Sequence, residues 1–217
     1  MKIYSISEKF KSLQGEGKYT GTYMSFIRFQ GCSVGKKICT FCDTDFDVLH
    51  TFRGGGRFSS AELARWCEDV PDICLTGGEP LDQDLTELVE AVGSRFHRFH
   101  IETSGTVPIP KWMTANREIR SKFWFTVSPK PGYDIAVLLE ADEVKIIVPG
   151  LGPINNGGWP DVDLAVDLAN EGQLVYIQPK NHKNEVDKLN LTYCVDLIRE
   201  YPALRLSVQM HKILGVQ

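Results

Sequence analysis

Short β-rich apolar runs alternate with helical stretches along this chain, and that alternation constrains its fold more than any other feature. The runs fall at residues 23–29, 73–76, 99–102, 124–127, 144–148, 174–178 and 206–209. Between several of them lie candidate helices. Ser59-Ser60-Ala61-Glu62 reads as a capping box ahead of residues 63–70, and residues 84–96, 161–170 and 188–200 carry apolar side chains at helical spacing. Such a pattern predicts an α/β chain whose sheet is built from parallel βαβ units. Six or seven strands are fewer than the eight of a closed barrel, so a partial (β/α) barrel is expected. Residues 48–58 and 149–159, rich in glycine or in glycine and proline, read as exposed connections.

The chain has 217 residues, 42% of them hydrophobic, enough for one buried core and short for two independent domains. A single domain over residues 1–217 is the expectation. The net charge of −4 arises from 28 acidic and 24 basic residues without a block of one sign. That argues against a nucleic-acid groove or a polybasic membrane anchor and favours small-molecule partners. The first ten residues contain no apolar signal core, and no window approaches the roughly twenty apolar residues needed to span a bilayer. A soluble, cytoplasmic protein is therefore expected.

Three of the six cysteines, Cys32, Cys39 and Cys42, lie close together as C-x6-C-x2-C. Clustered thiols in a chain this size read as metal ligands in a reducing compartment rather than as a disulfide framework. Three thiolates on an iron–sulfur cluster leave one iron open to a further ligand. A zinc site completed by His50 satisfies the same spacing, which leaves both readings open. Cys67, Cys74 and Cys194 sit in apolar patterns and read as small hydrophobes.

Polar motifs follow the predicted strands: residues 76–79, 102–105, 128–130 and 178–181. In parallel sheets ligands bind beyond the carboxyl ends of the strands. Gly77-Gly78 permits close backbone approach, although taken alone it better suits a tight strand-to-helix turn. Thr103 or Ser104 can cap a helix, and Asp43-Thr44 can close a turn.

Together these segments resemble one family. Leu13-Gln14-Gly15-Glu16-Gly17, Phe26-Ile27-Arg28-Phe29-Gln30-Gly31-Cys32, Cys39-Thr40-Phe41-Cys42-Asp43-Thr44, Thr76-Gly77-Gly78-Glu79-Pro80, Glu102-Thr103-Ser104-Gly105, Ser128-Pro129-Lys130 and Gln209-Met210-His211-Lys212 look like the 7-carboxy-7-deazaguanine synthases, small radical S-adenosylmethionine (SAM) enzymes. The likeness runs from near the first residue to the last. It departs at the cysteines, where the usual spacing is C-x3-C-x2-C and six residues here separate the first two, giving an enlarged cluster-binding loop. Lys36 and Lys37 in that insertion read as a solvated loop that can help dock an electron donor. Asn181 stands where relatives often carry an acidic residue, and Met210 where they carry Thr.

The resemblance implies a radical-SAM-type partial barrel and a ring contraction of 6-carboxy-5,6,7,8-tetrahydropterin to 7-carboxy-7-deazaguanine, with loss of ammonia, in queuosine and related deazapurine biosynthesis. It implies a [4Fe-4S] cluster on Cys32, Cys39 and Cys42, SAM as a regenerated cofactor, and Mg2+ on Thr44. SAM contacts are implied for Phe41, Cys42, Asp43, Gly77, Gly78, Glu79, Glu102, Ser128, Pro129, Lys130, Gln178, Pro179, Lys180 and Asn181. Substrate contacts are implied for Leu13, Gln14, Gly15, Glu16, Arg28, Thr76, His211 and the terminal carboxylate of Gln217. Arg28 has the planar fork that grips a carboxylate in two places, and Glu16 can accept from the amino edge of a pterin. A homodimer and an electron donor such as flavodoxin are implied partners. The alternatives are a radical-SAM activase that makes a glycyl radical on a partner protein, and a zinc-stabilised binding module.

Overall fold

Six of the seven apolar runs become strands, and of the seventh, 206–209, only Leu206 does, as the end of a two-residue strand. A computed structural model describes residues 1–42, 44–48, 50–93, 98–150, 157–181 and 185–216. In chain order the first elements are β1 (Ile3–Leu13), β2 (Tyr23–Phe29), β3 (Gly56–Ser59), α1 (Ser60–Cys67), β4 (Asp72–Gly77), α2 (Thr86–Val92), β5 (Arg98–Thr103) and α3 (Arg117–Arg120). They are followed by β6 (Phe123–Val127), α4 (Ile135–Glu140), β7 (Glu143–Val148), α5 (Val162–Asn170), β8 (Val175–Pro179), α6 (Lys188–Glu200), β9 (Arg205–Leu206) and α7 (Met210–Leu214).

The chain divides into two compact units. The first comprises Met1–Ser12, Tyr23–Thr103 and Val107–Phe125. Its strands run β3-β1-β2-β4-β5. β1 and β3 are antiparallel, pairing Ile3 with Ser59, whereas β2, β4 and β5 are parallel, with Arg28 opposite Thr76. Ile73, Cys74 and Leu75 have no exposed surface, as a parallel strand covered on both faces requires.

The second unit comprises Leu13–Thr22, Ser104–Thr106 and Thr126–Gln217. Within it the last two residues of β6 pair with β7, β7 with β8 and β8 with β9, all parallel. Every residue of β8 is buried. β3 ends the first run of strands and β9 the second, and neither run closes on itself.

Local signals in the sequence account for most helix starts. Ser59 and Glu62 form the expected capping box, each side chain taking the other's backbone N–H. The Glu62 carboxyl is held below its usual range by the Ser59 hydrogen bonds. Asp161 and Asp187 cap α5 and α6 through side-chain oxygens. Two strands were not foreseen. β1 mixes serines and charged residues among its apolar ones, and β3 occupies part of the glycine-rich stretch read as a loop; its pairing with β1 satisfies backbone groups that a loop would leave to solvent.

Candidate active site

In the first unit, β2 leads directly into the cysteine loop. Gly31 N donates to Phe46 O at 3.1 Å, and Cys42 N donates to Cys39 O at 3.1 Å, one turn back along the chain. None of the three is in a disulfide; Cys39 is buried, Cys32 and Cys42 are half-buried, and Cys42 Sγ donates to Thr44 O at 3.5 Å. Among the described residues, no three His, Cys, Asp or Glu side chains stand close enough together to hold a metal ion. Ser33 N donates to Asp82 Oδ2 at 2.8 Å. The insertion is also fastened to the segment after Cys42: Lys36 Nζ lies 2.7 Å from Asp45 Oδ1 and 2.9 Å from Asp47 Oδ2. Those carboxylates push the Lys36 ammonium above its ordinary range, and Lys36 holds Asp45 below its own. His50 Nε2 lies 3.4 Å from the other Asp45 oxygen.

The glycine pair at the end of β4 sits on the entrance to that loop. Gly78 N donates to Phe29 O at 2.9 Å and Glu79 N to Gly31 O at 3.1 Å. A β-carbon on Gly78 would lie 1.6 Å from Gly31 O, and one on Gly77 would lie 2.5 Å from Phe29 N. Gly77 also has φ +102°, which L side chains rarely adopt. The close approach that glycine permits here is to the protein's own backbone. Glu79 is buried, and its Oε1 accepts from Leu81 N at 3.1 Å and Thr103 Oγ1 at 2.7 Å.

Arg28, on β2, is held from two sides. Its Nη1 donates to Thr44 Oγ1 at 3.1 Å and lies 3.2 Å from Glu8 Oε1, a buried carboxylate on β1. Among the described residues its buried Nε has no hydrogen-bond partner, a donor that an incoming acceptor would satisfy. Arg53 Nη1 lies 3.7 Å from the other Glu8 oxygen. Thr76 Oγ1 donates to Glu102 Oε2 at 2.8 Å, joining the ends of β4 and β5.

In the second unit the Leu13–Gly17 segment is fastened by polar groups from several elements. Glu16 Oε2 is ion-paired with Lys145 Nζ from β7, and Glu16 Oε1 accepts from Gln178 Nε2 at 3.3 Å and Gln209 Nε2 at 2.9 Å. Glu143, two residues before Lys145, accepts from Lys18 N at 3.0 Å and from Thr126 Oγ1 at 3.0 Å. Gly17 N donates to Ser207 Oγ at 3.2 Å, and Ser207 Oγ donates to Gln178 Oε1 at 2.9 Å. Met210 N donates to Gly15 O at 2.9 Å, which brings the start of α7 onto this segment.

Two more strand ends converge in the same unit. Lys130 folds back so that its Nζ donates to Ser128 O at 2.6 Å and Ser128 Oγ at 2.8 Å. Lys130 N donates to Ser104 O at 3.1 Å, and a β-carbon on Gly105 would lie 2.9 Å from Val127 Cγ1. Asn181 Nδ2 donates to Gln209 Oε1 at 3.1 Å, and Lys212 Nζ donates to the same oxygen at 2.8 Å.

No family model matches the chain. Curated relatives do. The 7-carboxy-7-deazaguanine synthase of Caulobacter vibrioides is 32% identical over 231 residues, covering 98% of this chain and 99% of its own. That of Bordetella pertussis is 34% identical over 229 residues, covering 98% and 99%. The crystal structure of QueE from Escherichia coli is similar with a TM-score of 0.70 and 28% identity, covering 96% of this chain and 95% of that one. The chain belongs to the 7-carboxy-7-deazaguanine synthase family.

For a synthase of this family, the residues singled out in the sequence fall into local groups. The first unit brings together Arg28 with Thr44, Thr76 with Glu102, and Gly77, Gly78 and Glu79 with the backbone that enters the cysteine loop. The second brings together Glu16 with Gln178, Gly15 with the α7 residue His211, and Ser128 with Lys130. Pro179 and Lys180 continue from Gln178, with Lys180 N donating to Val148 O at 2.8 Å. Gln14 is buried and its Oε1 accepts from Glu16 N at 3.1 Å. Leu13 ends β1, and Phe41 lies in the cysteine loop. Asp43 and Gln217 lie outside the described residues.

One expectation, a helix cap at Thr103 or Ser104, is corrected. Thr103 caps no helix: it ends β5, buried, and donates to Glu79. Ser104 instead bonds Thr106 at 2.8 Å. Glu8, Glu143, Lys145 and Ser207 were missed. The signal for two of them lay in the sequence Glu-Val-Lys-Ile-Ile-Val, since a charge inside an apolar strand must meet a partner.

Proposed function

We propose that this chain is, over its 217 residues, a single-domain radical SAM lyase that converts 6-carboxy-5,6,7,8-tetrahydropterin to 7-carboxy-7-deazaguanine and ammonia. Atoms and electrons balance in that conversion without an external oxidant. The observation that carries the reading is the seating of Gly77-Gly78-Glu79 on the backbone just before three cysteines that form no disulfide.

The donor set fits a [4Fe-4S] cluster in number and kind, since three thiolates supply three of its four iron positions. Cys32, Cys39 and Cys42 would hold it. When bound, cluster and SAM supply the one-electron chemistry that starts a radical rearrangement. The protein's own part is binding, orientation and exclusion of water. In the first unit, Arg28 Nε, which takes no acceptor among the described residues, suits a substrate carboxylate, and Thr44 suits a hard cation such as Mg2+, which favours oxygen ligands. In the second, the Glu16 carboxylate suits the N–H donors of a guanidine-like ring edge.

Further parts of the reading are a homodimer, an electron donor such as flavodoxin, and a cytoplasmic setting. Among the described residues no helix is long and apolar enough to cross a membrane. The test is expression of the chain in a bacterium that lacks its own synthase. Restored deazapurine in cell extracts supports the reading, with Cys32→Ala inactive. Failure of the soluble, cluster-loaded chain to restore it rejects the reading.

A further inference from the structure

Lys145 is a buried lysine in the middle of β7, 7% exposed, with Val144 and Ile146 fully buried on either side. An ammonium in that position is costly unless a charged or strongly accepting partner meets it. The partner is Glu16, whose Oε2 it contacts. On its other oxygen Glu16 takes two neutral amide donors, Gln178 Nε2 and Gln209 Nε2. Both amides are oriented in turn, because Gln178 Oε1 accepts from Ser207 Oγ and Gln209 Oε1 accepts from Asn181 Nδ2 and Lys212 Nζ. Lys145 brings a full positive charge to Glu16 in a poorly hydrated place. An opposite charge at contact favours the ionised carboxylate.

From this we infer that Lys145 is a positioning residue that sets substrate specificity: it keeps Glu16 anionic and fixed, so the site selects a ring edge bearing N–H donors over one bearing carbonyl oxygens. The inference rests on the reading that Glu16 meets the substrate. A carboxylate anion attracts a 2-amino edge and repels a 2-oxo edge, whereas a protonated or displaced carboxyl distinguishes them poorly.

The test compares 6-carboxytetrahydropterin with its 2-oxo analogue, 6-carboxytetrahydrolumazine, using anaerobically reconstituted enzyme. For Lys145→Met, KM for the pterin should rise about tenfold and the preference for pterin over lumazine should narrow about tenfold, with cluster content and SAM binding unchanged. Lys145→Arg should recover most of the preference. In a Glu16→Gln background, Lys145→Met should narrow the preference no further. A purely structural lysine would change activity on both substrates alike and leave their ratio intact, and that result overturns the inference. If Lys145→Met does not fold, Lys145→Gln is measured instead; if neither folds, the residue is a structural charge and the inference fails. Wild-type enzyme that converts neither compound rejects the function itself, whereas wild-type turnover with an unchanged ratio in the variants rejects only the role of Lys145.

Discussion

The His211 ring fills the space that a side chain on residue 15 would need: a β-carbon on Gly15 would lie 2.0 Å from His211 Nδ1 and 2.9 Å from its backbone N. The glycine of Leu-Gln-Gly-Glu-Gly therefore sets where the imidazole can stand. Gly15→Ala should turn His211 away and raise KM for the pterin about tenfold, matching His211→Ala, with cluster content unaffected. Steady-state kinetics check this, and an unchanged KM in both variants removes His211 from substrate binding.

Gly78 has a comparable but harsher constraint, since its missing β-carbon is replaced by Gly31 O at 1.6 Å. Backbone cannot swing aside as a side chain can. Gly78→Ala should destabilise the protein by about 1–3 kcal/mol and lower iron retained after gel filtration, because the displaced carbonyl adjoins Cys32. Gly157→Ala, where no described residue lies within 4 Å of the added β-carbon, is the control and should melt at the parent temperature.

Arg28 and Glu8 lie 3.2 Å apart with Glu8 buried, so neither charge is easily removed alone. Arg28→Ala should cost about 3 kcal/mol in denaturant titrations. Arg28→Lys keeps the charge but not the planar fork or Nε, and should lower turnover of the carboxylated pterin about a hundredfold. Equal turnover in Arg28→Lys and the parent argues that Nε meets no substrate carboxylate.

His100 on β5 is buried, and burial lowers its pKa below the ordinary 6.5 despite Asp72 Oδ1 at 2.8 Å from its Nε2. The unfolded chain then binds a proton more readily than the folded one just below that pH. Its contribution to stability is present above pH 6.5 and is lost as pH falls toward the depressed folded value. Urea melts between pH 7 and 5 should fall less steeply with pH for His100→Gln. Parallel profiles for both proteins contradict this.

Thiol chemistry separates the cysteines. Burial pushes the Cys67 and Cys194 thiols up to about 12, and Cys74 has no exposed surface. Iodoacetamide on the folded apoprotein should label Cys32 and Cys42 first, leave Cys67, Cys74 and Cys194 unlabelled, and label none of the cluster cysteines after reconstitution. Peptide mass spectrometry reads the pattern, and labelling of Cys32 in the reconstituted protein contradicts its role as a ligand.

The fold was largely legible because its signals are local. Apolar runs such as 144–148 and capping residues such as Ser59, Asp161 and Asp187 specify strands and helix starts from their own neighbours. β3 was not legible, since Gly56–Ser59 becomes a strand only by pairing with β1, distant in sequence. Candidate site residues were nameable where a motif carried them, as at Glu16, Arg28 and Gly77-Gly78. Partners brought in by the fold, such as Glu8 for Arg28 and Lys145 for Glu16, were not. Their charges stand in the sequence without a sign of what each will meet.

The most direct measurement is anaerobic reconstitution with iron and sulfide, followed by incubation with SAM, Mg2+, a reductant and 6-carboxytetrahydropterin, with products followed by mass spectrometry. The account predicts 7-carboxy-7-deazaguanine and ammonia in equal amounts, dependent on Cys32, Cys39 and Cys42. A chain that binds its cluster and cleaves SAM yet leaves the pterin unchanged would contradict it.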